Sequence, residues 1–360
     1  MPTVPAHPPR LAQTWASPII LAQGSQLRQP VLAVTSGRLD LFWEGQNAIY
    51  HRYCDGSAWQ PPMRLVGGRQ PVAVYDRNGA LHLAFANDYS GRYEIYYTVH
   101  KGHAWSLPQN VSLTPRTSAY PQVVIAPDGV VHLLWEDDSP GYAVVYHARQ
   151  RAAWRWDGRP IPHAAGRRPC GAFDTTGRLH VVFQTGDEGW TSGDVFYTCW
   201  DGRAWSSPQR LSDGTHPAAG PRLVVDGADT VHVVWRERGE SHERIVYTRA
   251  QSQGWSEPQP LSAPLERGGW PALAAGNGLV AAVWDYLETL EYSACPTGQG
   301  EWQAIELAVA ENYRPQEPWL ALAESGEAHL VWLCANAQGE TEVHYTRRHG
   351  QEHRVFLPKV

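Results

Sequence analysis

The sequence predicts an all-β protein, a seven-bladed β-propeller of four-stranded antiparallel blades whose ring is closed by the amino-terminal strand. Three observations carry that expectation. The 360 residues include 17 Trp, 16 Tyr, 33 Gly and 28 Pro, residue types that favour pleated strands and tight turns. A pattern repeats seven times along the chain, and a fixed period of this kind announces a repeat architecture before any single motif matters. The last repeat lacks a tryptophan that every other repeat has, and a spare one, Trp15, stands near the amino terminus.

Seven prolines open the units: Pro30, Pro71, Pro121, Pro169, Pro221, Pro271 and Pro318. Seven tyrosines follow them, Tyr50, Tyr96, Tyr146, Tyr197, Tyr247, Tyr292 and Tyr345, separated by 46, 50, 51, 50, 45 and 53 residues. Each unit reads as an apolar strand, a glycine-containing turn, a second apolar strand ending in Trp or Phe, a loop, the tyrosine strand and a tryptophan-led fourth strand. In the third unit these are residues 121–125, the turn Pro127-Asp128-Gly129, residues 131–135, and residues 143–148 with Tyr146. One such sheet cannot bury both faces, and packing seven around an axis buries each against its neighbours while leaving short edges. The fourth-strand tryptophans are Trp59, Trp105, Trp154, Trp205, Trp255 and Trp302. Because Trp15-Ala-Ser-Pro18 matches Trp205-Ser-Ser-Pro208 and Trp255-Ser-Glu-Pro258, residues 14–21 are expected beside the Tyr345 strand, with residues 353–357 competing for that place. Residues 1–360 read as one propeller domain with a flexible proline-rich tail over 1–13.

A net charge of −6 and a pI near 6.2 argue against a nucleic-acid partner. Lys101 and Lys359 are the sole lysines, so the positive charge is almost all arginine, suited to bidentate carboxylate or phosphate contacts. No stretch is long and apolar enough to span a membrane, and residues 1–10 carry no apolar leader. The chain as it stands is expected in the cytoplasm, or outside the cell if a leader has been trimmed from it. Five cysteines, an odd number matching no zinc pattern, are expected as free thiols. No cofactor is expected, and no metal, since His100 and His103 flank a turn with no further ligand nearby.

At the third-to-fourth strand hairpin, Asp55-Gly56-Ser57-Ala58-Trp59 and Asp201-Gly202-Arg203-Ala204-Trp205 resemble degenerate forms of the Asp box, Ser-x-Asp-x-Gly-x-x-Trp, of sialidase-like propellers (BNR-like repeats). The likeness extends over the repeat array, without the leading serine and the full spacing. Sialidases are six-bladed, and seven repeats look more like the propeller lectins and propeller polysaccharide lyases of this broad type. In the sialidases an Arg-x-Pro supplies one member of the arginine cluster that grips a carboxylate, and Arg28-Gln29-Pro30 and Arg69-Gln70-Pro71 resemble it. A sialidase-like mechanism implies three converging arginines, a Tyr activated by a Glu, and a separate carboxylic acid; Tyr313 beside Arg314, Glu44 and Asp88 supply those residue types.

The loops entering the first strand and leaving the second share one face of a propeller, here called the top. Arg28, Arg69, Arg116, Arg168, Arg267 and Arg314 occupy the entering loops, with His216 in the fifth unit. Acids end the second strands: Glu44, Asp88, Glu136, Asp137, Asp187, Glu237 and Asp285. Neighbouring blades joining these acids to the arginines in salt bridges is one reading. An anionic-sugar site is the other, supported by Tyr120, Trp190, Trp270, Tyr286 and Tyr313 on the same face. On that reading the ligand meets Arg28, Arg69, Arg116, Arg267 and Arg314, with Trp190, Trp270 and Tyr313 as aromatic platforms. His82, His132, His180, His232 and His329 recur at one register and read as buried hydrogen-bonding spacers rather than a catalytic set. Two departures break the symmetry: the loop 185–194 with Asp187, Glu188 and Trp190, and Arg236-Glu237-Arg238. With no catalytic motif in view, a lectin-like propeller binding an anionic carbohydrate comes first. A glycoside hydrolase or polysaccharide lyase comes second, and a scaffold for a protein partner third.

Overall fold

A computed structural model of the protein describes residues 15–186, 192–266, 269–309 and 314–349. Seven antiparallel sheets form the blades of a propeller. Blades 1 to 6 span residues 28–67, 69–110, 118–160, 167–210, 218–260 and 272–309. Blade 3 shows the pattern, with strands Ser118–Ile125, Val131–Asp137, Val144–Ala152 and Arg155–Pro160 paired in sequence order from the axis outward. In blade 5 the outer strand is split into Gly254–Trp255 and Gln259–Pro260, both paired with Glu243–Gln251. No helix among the described residues is long and apolar enough to cross a membrane.

Blade 7 is completed by the amino-terminal strand. Its inner strands are Gln316–Leu322, Ala328–Ala335 and Thr341–Arg348, and Ile19–Gly24 pairs with the last of these, Ile19 opposite Tyr345 and Gly24 opposite Thr341. The pairing extends back to a bridge between Trp15 and Arg348, and the Thr346 hydroxyl donates to the Ala16 carbonyl at 2.6 Å. Residues 353–357, the competing closure, lie outside the described residues.

What locks neighbouring blades is a ring contact made seven times. The outer-strand tryptophan of each blade stands edge-on against a third-strand ring of the preceding blade: Trp59 on Tyr345, Trp105 on His51, Trp156 on Tyr97, Trp205 on His147, Trp255 on Tyr197, Trp302 on Tyr247 and Trp15 on Tyr292. Edge-to-face packing suits the ring quadrupoles as well as burying area. These contacts correct two sequence assignments. Trp156 holds the place expected of Trp154, which is exposed in a turn at φ 66°. Tyr50, Tyr96 and Tyr146 sit one residue short of the register of Tyr197 and Tyr247, so they lie on the opposite sheet face. There they stack on Trp43, Phe85 and Trp135 of their own blades.

The third-strand rings are held by the second-strand histidines. The Nδ1 atoms of His82, His180, His232 and His329 meet the hydroxyls of Tyr97, Tyr197, Tyr247 and Tyr345 at 2.7 to 2.9 Å. On the other side, Nε2 faces Asp76, Asp174 and Asp226 at 3.3, 3.2 and 2.9 Å. In blade 3 a histidine replaces the tyrosine, and His132 Nδ1 meets His147 Nε2 at 2.8 Å. All five cysteines are unpaired, with Cys170, Cys295 and Cys334 buried.

Two consequences are measurable. Deleting residues 1–24 strips the outer strand and Trp15 from the ring, leaving the Thr341–Arg348 edge unpaired. A lower melting temperature and concentration-dependent association in light scattering are expected; an unchanged monomer sinks the closure. The second concerns acid. Burial drives His132 down to about 3 and His147 to about 4, from an ordinary value of 6.5. Both are therefore neutral when folded, and their protonation favours the unfolded chain. Their contribution is complete above pH 6.5 and is lost as pH falls through that value toward their folded ones, at up to about 1.4 kcal/mol per pH unit for each. His147→Tyr, which restores the pairing of the other blades, is expected to flatten the stability–pH slope between pH 6 and 4 in denaturant titrations.

Candidate functional site: an arginine-lined axial cavity

The repeat prolines shape the top of the ring. Proline has no N–H to give the ladder, and the first strand slips register beside it, between Arg28 and Val31, Arg69 and Val72, Ala119 and Gln122, Arg167 and Cys170, Ala219 and Arg222, and Gln316 and Trp319. The residue before the proline then turns into the left-handed region: Gln29 (φ 47°), Gln70 (56°), Tyr120 (51°), Arg168 (48°), Gly220 (62°) and Glu317 (50°), with Trp270 of blade 6 the exception.

In six blades the N–H of that residue is capped by a side chain, in five of them from the preceding blade. Gln29 N–H donates to Glu317 at 2.6 Å, Gln70 to Glu44 at 3.2 Å, Tyr120 to the Gln70 side chain at 2.8 Å, Arg168 to Glu136 at 3.0 Å and Gly220 to Gln184 at 2.8 Å. Within blade 6, Trp270 N–H donates to Asp285 at 2.8 Å. Among the described residues Glu44, Glu136, Glu317 and Asp285 thus clasp backbone, alongside the salt bridges that were one reading of the sequence. Of the other acids, Asp137 accepts from the Thr114 and Ser118 hydroxyls, and Glu237 from Arg244. Between blades, Arg167 meets Glu136 at 3.4 Å.

Among the described residues Arg28 and Arg69 make no ion pair. Arg28, Arg69, Arg168 and Arg222 line one axial cavity of about 360 Å³, together with Glu44, Glu317, Tyr120 and Trp270. Aromatic faces steady several of the guanidinium groups. Arg69 lies over Tyr93 at 4.3 Å, and Arg168 over Tyr120 at 4.2 Å and Trp270 at 5.0 Å, also donating to the Tyr120 hydroxyl at 3.0 Å. Arg236 lies over the same Trp270 ring at 5.2 Å. Burial holds the Glu317 carboxyl above its ordinary range, opposed by the Gln29 N–H and the charge of Arg28. Burial pushes Asp285 up to about 7, opposed by the Trp270 N–H and by Arg236.

Of the ligand-binding residues expected from sequence, Arg28, Arg69 and Trp270 line this cavity. Arg116 is exposed and does not line it, and Arg314 is exposed, does not line it, and faces Glu288 at 3.6 Å. Arg267, Trp190 and Tyr313 lie outside the described residues. Trp270 supports two guanidinium groups rather than offering a bare platform. Sequence reasoning missed Arg222 and Glu317. Their signal is distance from the repeat proline: Arg28 and Arg69 stand two residues before it, Arg168 and Glu317 one before and Arg222 one after, whereas Arg116 and Arg314 stand farther upstream.

Two other places have their charges already engaged. A hollow of about 540 Å³ opens at the seam of blades 7 and 1, but its charges are spent: Arg347 pairs with Glu327 at 3.4 Å and Arg38 with Asp40 at 2.7 Å. Asp213, His216 and Glu237 bring ligand atoms within 4.8 Å of one another, yet Glu237 already accepts from Arg244, which offsets the negative charge a cation needs.

Fold and cavity together define a seven-bladed propeller with an arginine-rich axial mouth. No protein-family model matches the sequence, and no curated protein does. Among solved structures, the chain is similar to an ulvan lyase of polysaccharide lyase family PL25 bound to -[GlcA(1-4)Rha3S]-, with a TM-score of 0.65 and 10% identity over 90% of this chain and 94% of that one. A second polysaccharide lyase gives 0.59 and 11% identity over 97% and 94%. The intramolecular trans-sialidase of Ruminococcus gnavus in complex with oseltamivir carboxylate gives 0.50 and 11% over 92% and 96%. The sialidase-like likeness read from the hairpins is thus a likeness of fold.

Asp285 yields a test. Its folded value lies above the ordinary 3.8, so the folded state holds the proton more tightly. Its contribution is present below about pH 4 and is lost as pH rises to about 7. Asp285→Asn, which keeps an acceptor for Trp270 N–H, is expected to be more stable than the wild type at pH 8 and equal to it below pH 4. Equal stability at both pH values excludes the raised value.

Proposed function

We propose that the axial mouth binds a saccharide bearing a carboxylate or sulfate group. The observation that carries this reading is that Arg28 and Arg69 open on one cavity, which Arg168 also lines, while Glu317 and Glu44 in the cavity wall accept from backbone amides. Guanidinium groups converging with their counter-charges diverted repel one another, and an anionic ligand offsets that repulsion with charge-assisted bidentate hydrogen bonds. The cavity, about 360 Å³, falls within the usual range for small-ligand sites. Structures of similar fold are named for work on uronate-containing and sialic-acid substrates, which agrees with this chemistry.

Turnover of the same ligand is a second reading. It is favoured by Glu317, a carboxyl in the cavity wall whose proton is held more tightly than usual and which is therefore suited to proton transfer.

Calorimetry with oligouronates, sulfated oligosaccharides and neutral oligosaccharides tests the proposal. Anionic saccharides are expected to bind, with affinity falling as salt rises. Arg28→Ala is expected to weaken binding about 10- to 150-fold, the scale of a hydrogen bond to a charged group. Arg314→Ala, outside the cavity, is expected to leave affinity unchanged. Products of chain cleavage move the assignment to the enzyme, and equal binding of neutral sugars sinks the anionic reading.

A further inference from the structure

Below the mouth the first strands continue to line the axis. One residue past each repeat proline, the first strands present an apolar collar of Val31, Val72, Ala272 and Trp319, interrupted on the adjoining blades 3 to 5 by Gln122, Cys170 and Arg222. Beneath lies a second cavity of about 350 Å³ with apolar walls that include Val74, Val124, Phe173 and Leu320. Arg222 and Gln122 border both cavities and so stand at the neck between them.

Arg222 is poorly served there. Among the described residues its guanidinium makes one weak hydrogen bond, from Nη1 to the Pro221 carbonyl at 3.5 Å, and no ion pair. Burial pulls its proton affinity down, and the charges acting on it are the Cys170 thiol and the like charge of Arg168, with no carboxylate among them. The thiol is no counter-ion, because burial raises Cys170 above its ordinary value. The Gln122 side chain makes no hydrogen bond among the described residues. A guanidinium does not shed its proton at any ordinary pH, so half-buried Arg222 carries its charge at the neck with no ion-pair partner among the described residues.

We propose that this neck is a second anion subsite, where the fork of Arg222 and the amide of Gln122 take one carboxylate or sulfate group. That group comes either from the saccharide in the mouth, which rests on the function proposed above, or from a free inorganic oxyanion, which does not.

The experiment uses the whole protein. Melting temperature is measured against sodium sulfate at constant ionic strength, and crystals are soaked separately in selenate and in an anionic oligosaccharide. The wild type is expected to be stabilised by sulfate, Arg314→Ala, which lines neither cavity, to keep that response and Arg222→Met to lose most of it. In buffer free of oxyanions Arg222→Met is expected to be no less stable than the wild type, since it removes an uncompensated charge. Should that variant fail to fold, Arg222→Lys, which keeps the charge without the fork, is expected to bind sulfate about tenfold more weakly. Selenate density at the neck identifies the free-ion source; a saccharide carboxylate or sulfate seen there identifies the other. An identical sulfate response in wild type and Arg222→Met, or a neck holding water alone in both soaks, overturns the subsite. A sulfate response without saccharide binding leaves the subsite standing and sinks the proposed function instead.

Discussion

The contact on which the structure depends is the outer-strand tryptophan of one blade set against the third-strand ring of the blade before it. Centroid separations run from 4.8 Å for Trp255 and Tyr197 to 6.1 Å for Trp105 and His51, and all seven pairs are near perpendicular. A propeller blade alone leaves apolar faces open, and this pair sets where the next blade sits on the outer half of each interface. The seventh pair is supplied from the far end of the chain by Trp15. Closure is thus the same interaction repeated once more rather than a separate device. The buried histidines serve it from behind: a tyrosine pinned by a histidine, itself facing an aspartate, presents a fixed face to the tryptophan.

A ring tightened at its rim must be clasped near its axis by something other than bulk, because seven first strands converge there. The prolines meet this constraint by interrupting each ladder at its top. An N–H released from the ladder and left buried costs about as much as a lost hydrogen bond, and in six blades it takes an acceptor, in five of them from the preceding blade. Glu44, Glu136 and Glu317 are drawn into this role. Arginines one or two residues from the proline face the axis beside carboxylates already engaged by backbone. Structural polarity and site electrostatics therefore have one origin.

The period of the repeat was legible because blade packing demands the same aromatic and proline positions seven times. Register within a strand was less so. Tyr50-His51, Tyr96-Tyr97 and Tyr146-His147 place two rings side by side, and in a strand adjacent residues point to opposite faces. Spacing alone therefore selected the wrong member of each pair, as it did for Trp154 over Trp156. At the site, arginine in an entering loop was too coarse a criterion. A loop residue four or five positions before the proline is free to leave the axis, as Arg116 and Arg314 do. Arg222 was invisible for the opposite reason, being placed inside a strand where apolar residues are the rule.

The backbone around the axis is nearly sevenfold, and the asymmetry comes from what stands before each proline. Blade 5 has Gly220 there, and a side chain at that point would meet the Trp270 ring at 2.5 Å. Trp270 occupies space that a blade 5 side chain would need, and it alone in the series lacks the left-handed turn. From that displaced position it lies under both Arg168 and Arg236, while Asp285 holds its N–H from behind. Two guanidinium groups are held against one ring. An aromatic residue whose type suggested a sugar platform is instead what fixes positive charge at one side of the mouth, and that bias toward blades 4 and 5 lies on the same side of the axis as Arg222 below it.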